Sequence, residues 1–166
     1  MAEAGSVITD EMRAAIGVES APWRVEVDRL QVRMFARSVG YSDPLFYDED
    51  FAKSKGYRSL PCPPHYLGTP VYNPADSDAT VGMPRREGGF RSPYTRMLNG
   101  GSDVEYFTSG PADAICAGDV LLASTKVSGA EEVTGRLGPM LIATSETIYR
   151  RDGVVVAISR GTQITY

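Results

Sequence analysis

The chain has 166 residues, 42% of them hydrophobic and 23% charged, with a formal net charge of -4. That length suits one domain with one sizeable core, here residues 1–166, and the acidic balance argues against nucleic acid or an anionic membrane surface as a partner. Cys62 and Cys116 are far apart and form no Cys-x-x-Cys pair, so neither a disulfide framework nor a zinc site is expected, and no metal site is assigned. No apolar run nears the roughly 20 residues needed to cross a bilayer. The start, Met1-Ala-Glu-Ala-Gly-Ser, lacks the pattern of a signal peptide, so the expected location is cytoplasmic.

Ile8-Thr-Asp-Glu-Met-Arg-Ala-Ala-Ile-Gly17 reads as a short helix: Thr9 or Asp10 can cap it, Met12 and Ile16 share a face, and Gly17 stops it. Trp23-Arg-Val-Glu-Val27 alternates like a strand. Asp28 can cap a second helix, with Gln31 three residues on, Leu30, Met34 and Phe35 as its expected buried stripe, and Gly40 as its end. A third helix is expected from Asp48 to Ser54, before Gly56. Leu60 to Pro74 carries five prolines, too many for an uninterrupted helix or a central strand, although Pro64 suits the first turn of a short helix.

Residues 75–101, rich in Gly, Pro and Arg, read as a long excursion. Strands are then expected at Asp103–Thr108, Asp119–Val127, Met140–Arg150 and Val154–Tyr166, with Asp152-Gly153 as a hairpin turn. The class is α+β, one antiparallel sheet of four or five strands preceded by helices. The apolar face supplied by Val120-Leu-Leu-Ala-Ser and Leu141-Ile-Ala-Thr has to be covered by helix from the first half or by a second copy of the chain.

Three stretches, ARSVGYSDPLFYDEDFAKSKGYRSLPCPPHY, LNGGSDVEYFTSGPADAICAGDVL and GPMLIATSETIYRRDGVVVAISRGTQITY, resemble in this order the N-terminal-type domain of the MaoC-like dehydratases. The resemblance implies a single hot-dog fold, an antiparallel sheet wrapped around a central helix, and hydration or dehydration of acyl thioesters. The family's catalytic loop reads approximately Gly-Asp-x-Asn-Pro-Leu-His. Its Asp and His are the groups that activate water and protonate the α-carbon, while backbone amides at a helix start polarise the thioester carbonyl.

Set on that pattern, Gly40-Tyr-Ser-Asp-Pro-Leu-Phe46 keeps the glycine, proline and leucine. Tyr41 falls at the acid position, Asp43 at the Asn position and Phe46 at the His position. A phenylalanine cannot accept a proton, and an ordinary tyrosine is a poor substitute for a carboxylate at neutral pH. The resemblance therefore implies a noncatalytic, substrate-binding subunit of a heteromeric enoyl-thioester hydratase or 3-hydroxyacyl-thioester dehydratase. Its partner would be a second MaoC-like chain that carries the Asp and His; otherwise the chain would form a homodimer.

Two other readings stay open. Asp43 and His65, the only histidine, could form an atypical acid/base pair in a self-sufficient homodimeric hydratase, or the chain could bind acyl thioesters without catalysis. Candidate substrate-binding residues are Tyr41, Asp43, Phe46, His65, Tyr66, Asn99 and Gly100, with Tyr47 and Tyr72 as further tunnel aromatics. The His65 amide, the first donor after two prolines, could face a thioester oxygen. Arg85, Arg86, Arg91 and Arg96 form the local basic cluster and suit the phosphates of coenzyme A or the acidic face of a carrier protein. No cofactor is implied beyond coenzyme A or an acyl-carrier thioester as the substrate's carrier.

Overall fold

The computed structural model describes residues 6–68, 90–136 and 138–166. They form α1 (Asp10–Ala15), β1 (Trp23–Glu26), α2 (Arg29–Ser38), α3 (Glu49–Ser54), β2 (Met97–Tyr106), β3 (Val120–Gly135), β4 (Gly138–Arg151) and β5 (Val154–Thr165), with short 3-10 helices at Pro44–Phe46 and Tyr66–Gly68. Each α-helix begins where a side-chain oxygen takes up amides that a first turn leaves unpaired. Thr9 accepts from Met12, Asp28 from Leu30 and Gln31, and Asp48 from Asp50 and Phe51. Among the described residues no helix is long and apolar enough to cross a membrane.

The strands make one antiparallel sheet in the order β1-β3-β4-β5-β2. Asp152 and Gly153 join β4 to β5 with φ of 53° and 81°, the left-handed pair that a two-residue hairpin needs to match strand twist. β3 runs on past Val127 to Gly135, its register with β4 shifting between Val127 and Gly129. Residues 97–101, expected in the excursion, belong to β2. Met97 pairs with Thr165 and Asn99 with Gln163, and a bulge between Asn99 and Gly101 absorbs the paired glycines.

Leu121, Ala123, Tyr149, Val156 and Ala157 on the inner face of the sheet form the main core with Val32, Ala52, Leu60, Tyr66 and Leu67. The 3-10 helix Tyr66–Gly68 packs on β2 and β5, and the buried Tyr149 hydroxyl donates to the Leu67 carbonyl at 2.6 Å. A second cluster joins Ile8 and Met12 to Leu141, backed by Phe90 and Tyr94. On the outer face Lys126, Glu146, Arg160 and Asp103 stand in register across β3, β4, β5 and β2, with successive ion pairs at 3.4, 3.1 and 3.4 Å.

α2 turns inward a different face from the expected one. Val32 and Ala36 are 0% exposed, whereas Leu30 and Met34 are 63% and 62% exposed; of the expected stripe only Phe35 packs on the core. At 100° per residue the Leu30–Met34 ridge lies opposite the Val32–Ala36 ridge, so periodicity alone leaves the roll of the helix undetermined. Two contacts with Tyr66 settle it. Its hydroxyl donates to Gln31 Oε1 at 2.8 Å, and its ring meets Phe35 edge-on with centroids 5.7 Å apart.

Candidate active-site cleft

The loop that follows α2 is held by its own backbone chemistry. Gly40, at φ 80°, takes the left-handed turn that lets the Tyr41 amide reach back to the Ala36 carbonyl at 2.9 Å. The Asp43 carboxylate accepts from the Leu45 amide at 2.9 Å and caps the 3-10 helix, with Pro44 at its first position. The Tyr47 hydroxyl donates to the Tyr41 carbonyl, and Arg33 on α2 donates to the Tyr47 carbonyl at 2.9 Å. So constrained, the rings of Tyr41 and Phe46 stand 5.7 Å apart at 31°. These are the two residues that the sequence register sets at the acid and base positions of the resembled family's loop.

Phe46 and Leu45 form one side of a cleft of about 270 Å³ whose other lining residues are Tyr57, Pro61, Cys62, Pro64, Tyr106, Thr108, Ala114 and Ile115. Among the described residues this lining has neither carboxylate nor imidazole. Burial pushes the Cys62 thiol well up, and the neighbouring Cys116 adds to the shift. Burial also raises the Tyr106 phenol, more than the facing His65 amide lowers it. Both groups therefore stay protonated at neutral pH. The cleft can enclose an apolar chain and offer hydroxyl donors, but these groups do not abstract protons.

One wall of the cleft is held from behind by an ion cluster centred on the buried Asp119. Arg58 donates to the carbonyls of Ala112 at 3.2 Å and Ala114 at 2.9 Å, and Arg151 donates to those of Asp113 at 2.7 Å and Ala114 at 3.3 Å. Both guanidinium groups converge on Asp119, which also accepts from the Cys116 amide. Burial alone would raise the Asp119 carboxyl, yet its hydrogen bonds to Arg58, the Cys116 amide and Arg151 hold it below the usual carboxylate range.

The structure brings together only part of the candidate set. Phe46 lines the cleft and Tyr41 packs on it. Asp43 is exposed and engaged with Leu45, and His65 is exposed at φ 62°; no hydrogen bond joins the two, and neither lines the cleft. The His65 amide faces the Tyr106 hydroxyl. Tyr66 is buried in the core. Asn99 accepts from the Gly101 amide at 3.0 Å, and a Cβ on Gly100 would meet Thr162 Cγ2 at 2.9 Å, so the close approach there is to β5 of the same chain.

Asn99 lies seven residues along β2 from Tyr106, about 23 Å at strand rise, so this end is remote from the cleft. Arg91 and Arg96 are exposed, and the Arg96 backbone pairs with Tyr166. Tyr72, Arg85 and Arg86 lie outside the described residues. Tyr57, Cys62, Tyr106, Thr108 and Ile115 escape sequence reasoning as cleft residues. The alternation of β2 signals that Tyr106 faces inward with Val104, but nothing local signals what it faces.

The sheet, its inner turn and this cleft define a hot-dog protein of the dehydratase type. The family described as FAS1-like, dehydratase domain region matches residues 14–159, and the chain belongs to it. Solved MaoC-like dehydratases share the fold. The UPF0336 protein Franean1_6066 of Parafrankia sp. (strain EAN1pec) is 30% identical over 142 residues, which cover 82% of this chain and 85% of that protein. Among solved structures, the HadBC (3R-hydroxyacyl-ACP dehydratase) complex of Mycobacterium tuberculosis matches with TM-score 0.65 at 22% identity, over 90% of this chain and 96% of that one. The ChsH1-ChsH2 complex of the same organism also matches with TM-score 0.65, at 13% identity, over 89% of this chain and 88% of that one.

Proposed function

We propose that this chain is the substrate-binding, noncatalytic subunit of a heteromeric enoyl-thioester hydratase or 3-hydroxyacyl-thioester dehydratase. The reading is carried by the Tyr41–Phe46 pair, which the sequence register sets at the acid and base positions, beside a cleft whose described lining lacks carboxylate and imidazole. In this division a second hot-dog chain supplies the Asp and His that activate water and protonate the α-carbon, while the present chain holds the acyl group. Adding or removing water is redox-neutral and calls for no cofactor beyond the thioester's own carrier. That the HadBC and ChsH1-ChsH2 neighbours are complexes of two differently named chains supports a hot-dog partner.

The partner's place would be the β2 edge. Among the described residues no strand lies beside its backbone groups on the side away from β5, and Met97 and Leu98 along it and Phe107 just past its end are exposed. The Asp43–His65 alternative gains no support from the geometry, since the Asp43 carboxylate caps a turn and neither side chain reaches the cleft.

The test is a hydration assay with crotonyl and longer enoyl thioesters, on the chain alone and with a MaoC-like subunit that has the Asp and His. Turnover is expected only in the mixture and should survive Asp43→Asn and His65→Ala in this chain. Turnover by the chain alone that disappears with either substitution would overturn the reading.

A further inference from the structure

The outward side of α2 carries a surface that neither the core nor the cleft uses. Leu30 and Met34 stand one turn apart at its solvent pole. Arg29, Arg33 and Arg37 repeat every fourth residue beside them, and the helix contains no acidic residue, although the whole chain has a net charge of -4. Nearby carboxylates are occupied. Asp28 caps α2, Asp48 caps α3, and Glu49 pairs with Arg29 at 2.6 Å and Lys53 at 3.0 Å. Among the described residues Arg33 meets only the neutral Tyr47 carbonyl and Arg37 has no ion-pair partner.

This surface therefore joins two uncompensated cations to an exposed apolar ridge, a combination suited to an acidic helix that also has an apolar side. It adjoins the cleft through the chain itself: α2 runs through Gly40 into Tyr41, whose ring packs on Phe46, and Arg33 holds the carbonyl of Tyr47. We propose that the Leu30, Arg33, Met34 and Arg37 face of α2 docks an acidic, helical carrier protein that presents the acyl thioester on its flexible arm. The proposal rests on the thioester reading above and selects the carrier. Coenzyme A could use the arginines, but it has no helical side to cover an apolar ridge that extends about 6 Å along the helix axis.

The test measures binding of a holo-acyl carrier protein loaded with a crotonyl group to the full chain, at low and high salt, with crotonyl N-acetylcysteamine as the carrier-free probe. The variant Arg37→Glu, which leaves the Arg33 hydrogen bond to Tyr47 in place, should weaken carrier binding about fivefold and reduce its salt dependence. Leu30→Ser/Met34→Ser should weaken it with the salt dependence kept. Both variants should bind the short thioester like the parent and retain its circular dichroism, because Leu30, Met34 and Arg37 all project from the core and none of them holds the Tyr41–Tyr47 loop.

Carrier binding unchanged in both variants would overturn the proposal, as would a parent chain that binds the short thioester and no carrier; in either case the cleft reading stands. Variants that lose association with a catalytic hot-dog subunit and keep the carrier would assign the face to that subunit, again overturning it. A parent chain that binds neither probe would remove the cleft reading and the docking proposal together.

Discussion

Replacing Asp119 with alanine removes, in one step, the acceptor of two hydrogen bonds from Arg58 at 2.8 and 2.7 Å, one from Arg151 at 3.0 Å and one from the Cys116 amide at 3.0 Å. Asp119 is 8% exposed and the Arg151 side chain 17% exposed, and the substitution leaves Arg151 with one ion pair, to Asp113 at 2.5 Å, in place of two. Breaking such a buried pair costs about 3–5 kcal/mol. Arg58, with its side chain 46% exposed, can turn to water and Arg151 keeps Asp113, which together place the expected loss at the lower end, about 3 kcal/mol.

For a chain of this length that loss corresponds to a fall in Tm of about 6–12 °C. Urea unfolding followed by circular dichroism, with calorimetry for Tm, measures both. Asp119→Asn keeps the shape and part of the acceptor capacity and should fall between parent and alanine. The pH dependence has a definite sign. The folded-state carboxyl sits below its unfolded value of about 3.9, so its contribution is fully present above that value and is lost as pH falls through the folded value. Asp119→Ala should therefore flatten the acid limb of the stability profile below about pH 4. A loss under about 1 kcal/mol, or an unchanged acid limb, would refute the reasoning that this cluster braces the cleft wall.

Val32→Ala should cost about 2 kcal/mol from the buried ridge of α2, whereas Leu30→Ala should stay within about 0.5 kcal/mol; equal losses in urea titration would mean that the helix is rolled differently. Gly40→Ala forces a Cβ into a left-handed turn and should lose about 1–2 kcal/mol, although no atom obstructs the added methyl, so a silent substitution would refute the strained-turn account. Cys62, with its thiol raised by burial, should react with iodoacetamide at pH 8 more than about tenfold slower in the folded chain than in urea, as followed by mass spectrometry of its peptide. Similar rates in both states would show an open, ionisable thiol.

The features that sequence determined by itself are those made by neighbours along the chain. Helix caps at Asp28 and Asp48, a cap at Thr9 or Asp10 that the structure gives to Thr9, the Gly40 stop and the Asp152-Gly153 hairpin join residues a few positions apart, so residue type and spacing place them to within a residue. That Tyr41 and Phe46 carry neither a carboxylate nor an imidazole is equally legible, because chemical identity needs no coordinates. The start of β2 is not. Residues 97–101 carry two glycines and read as loop, and only their ladder to β5 makes them strand.

Tertiary structure decided which side of α2 faces inward, through two contacts to Tyr66, more than thirty residues away. It also assembled the cleft from the Leu45, Tyr57–Pro64 and Tyr106–Ile115 stretches, and it left Asn99, Gly100, Arg91 and Arg96 away from it. Arg58, Asp119 and Arg151 meet across separations of 61 and 32 residues. No local pattern encodes that meeting. It depends on the β3–β4 register that sets Arg150 opposite Leu122, and so brings Arg151 to the start of β3, and on the turn that closes Asp119 on Cys116.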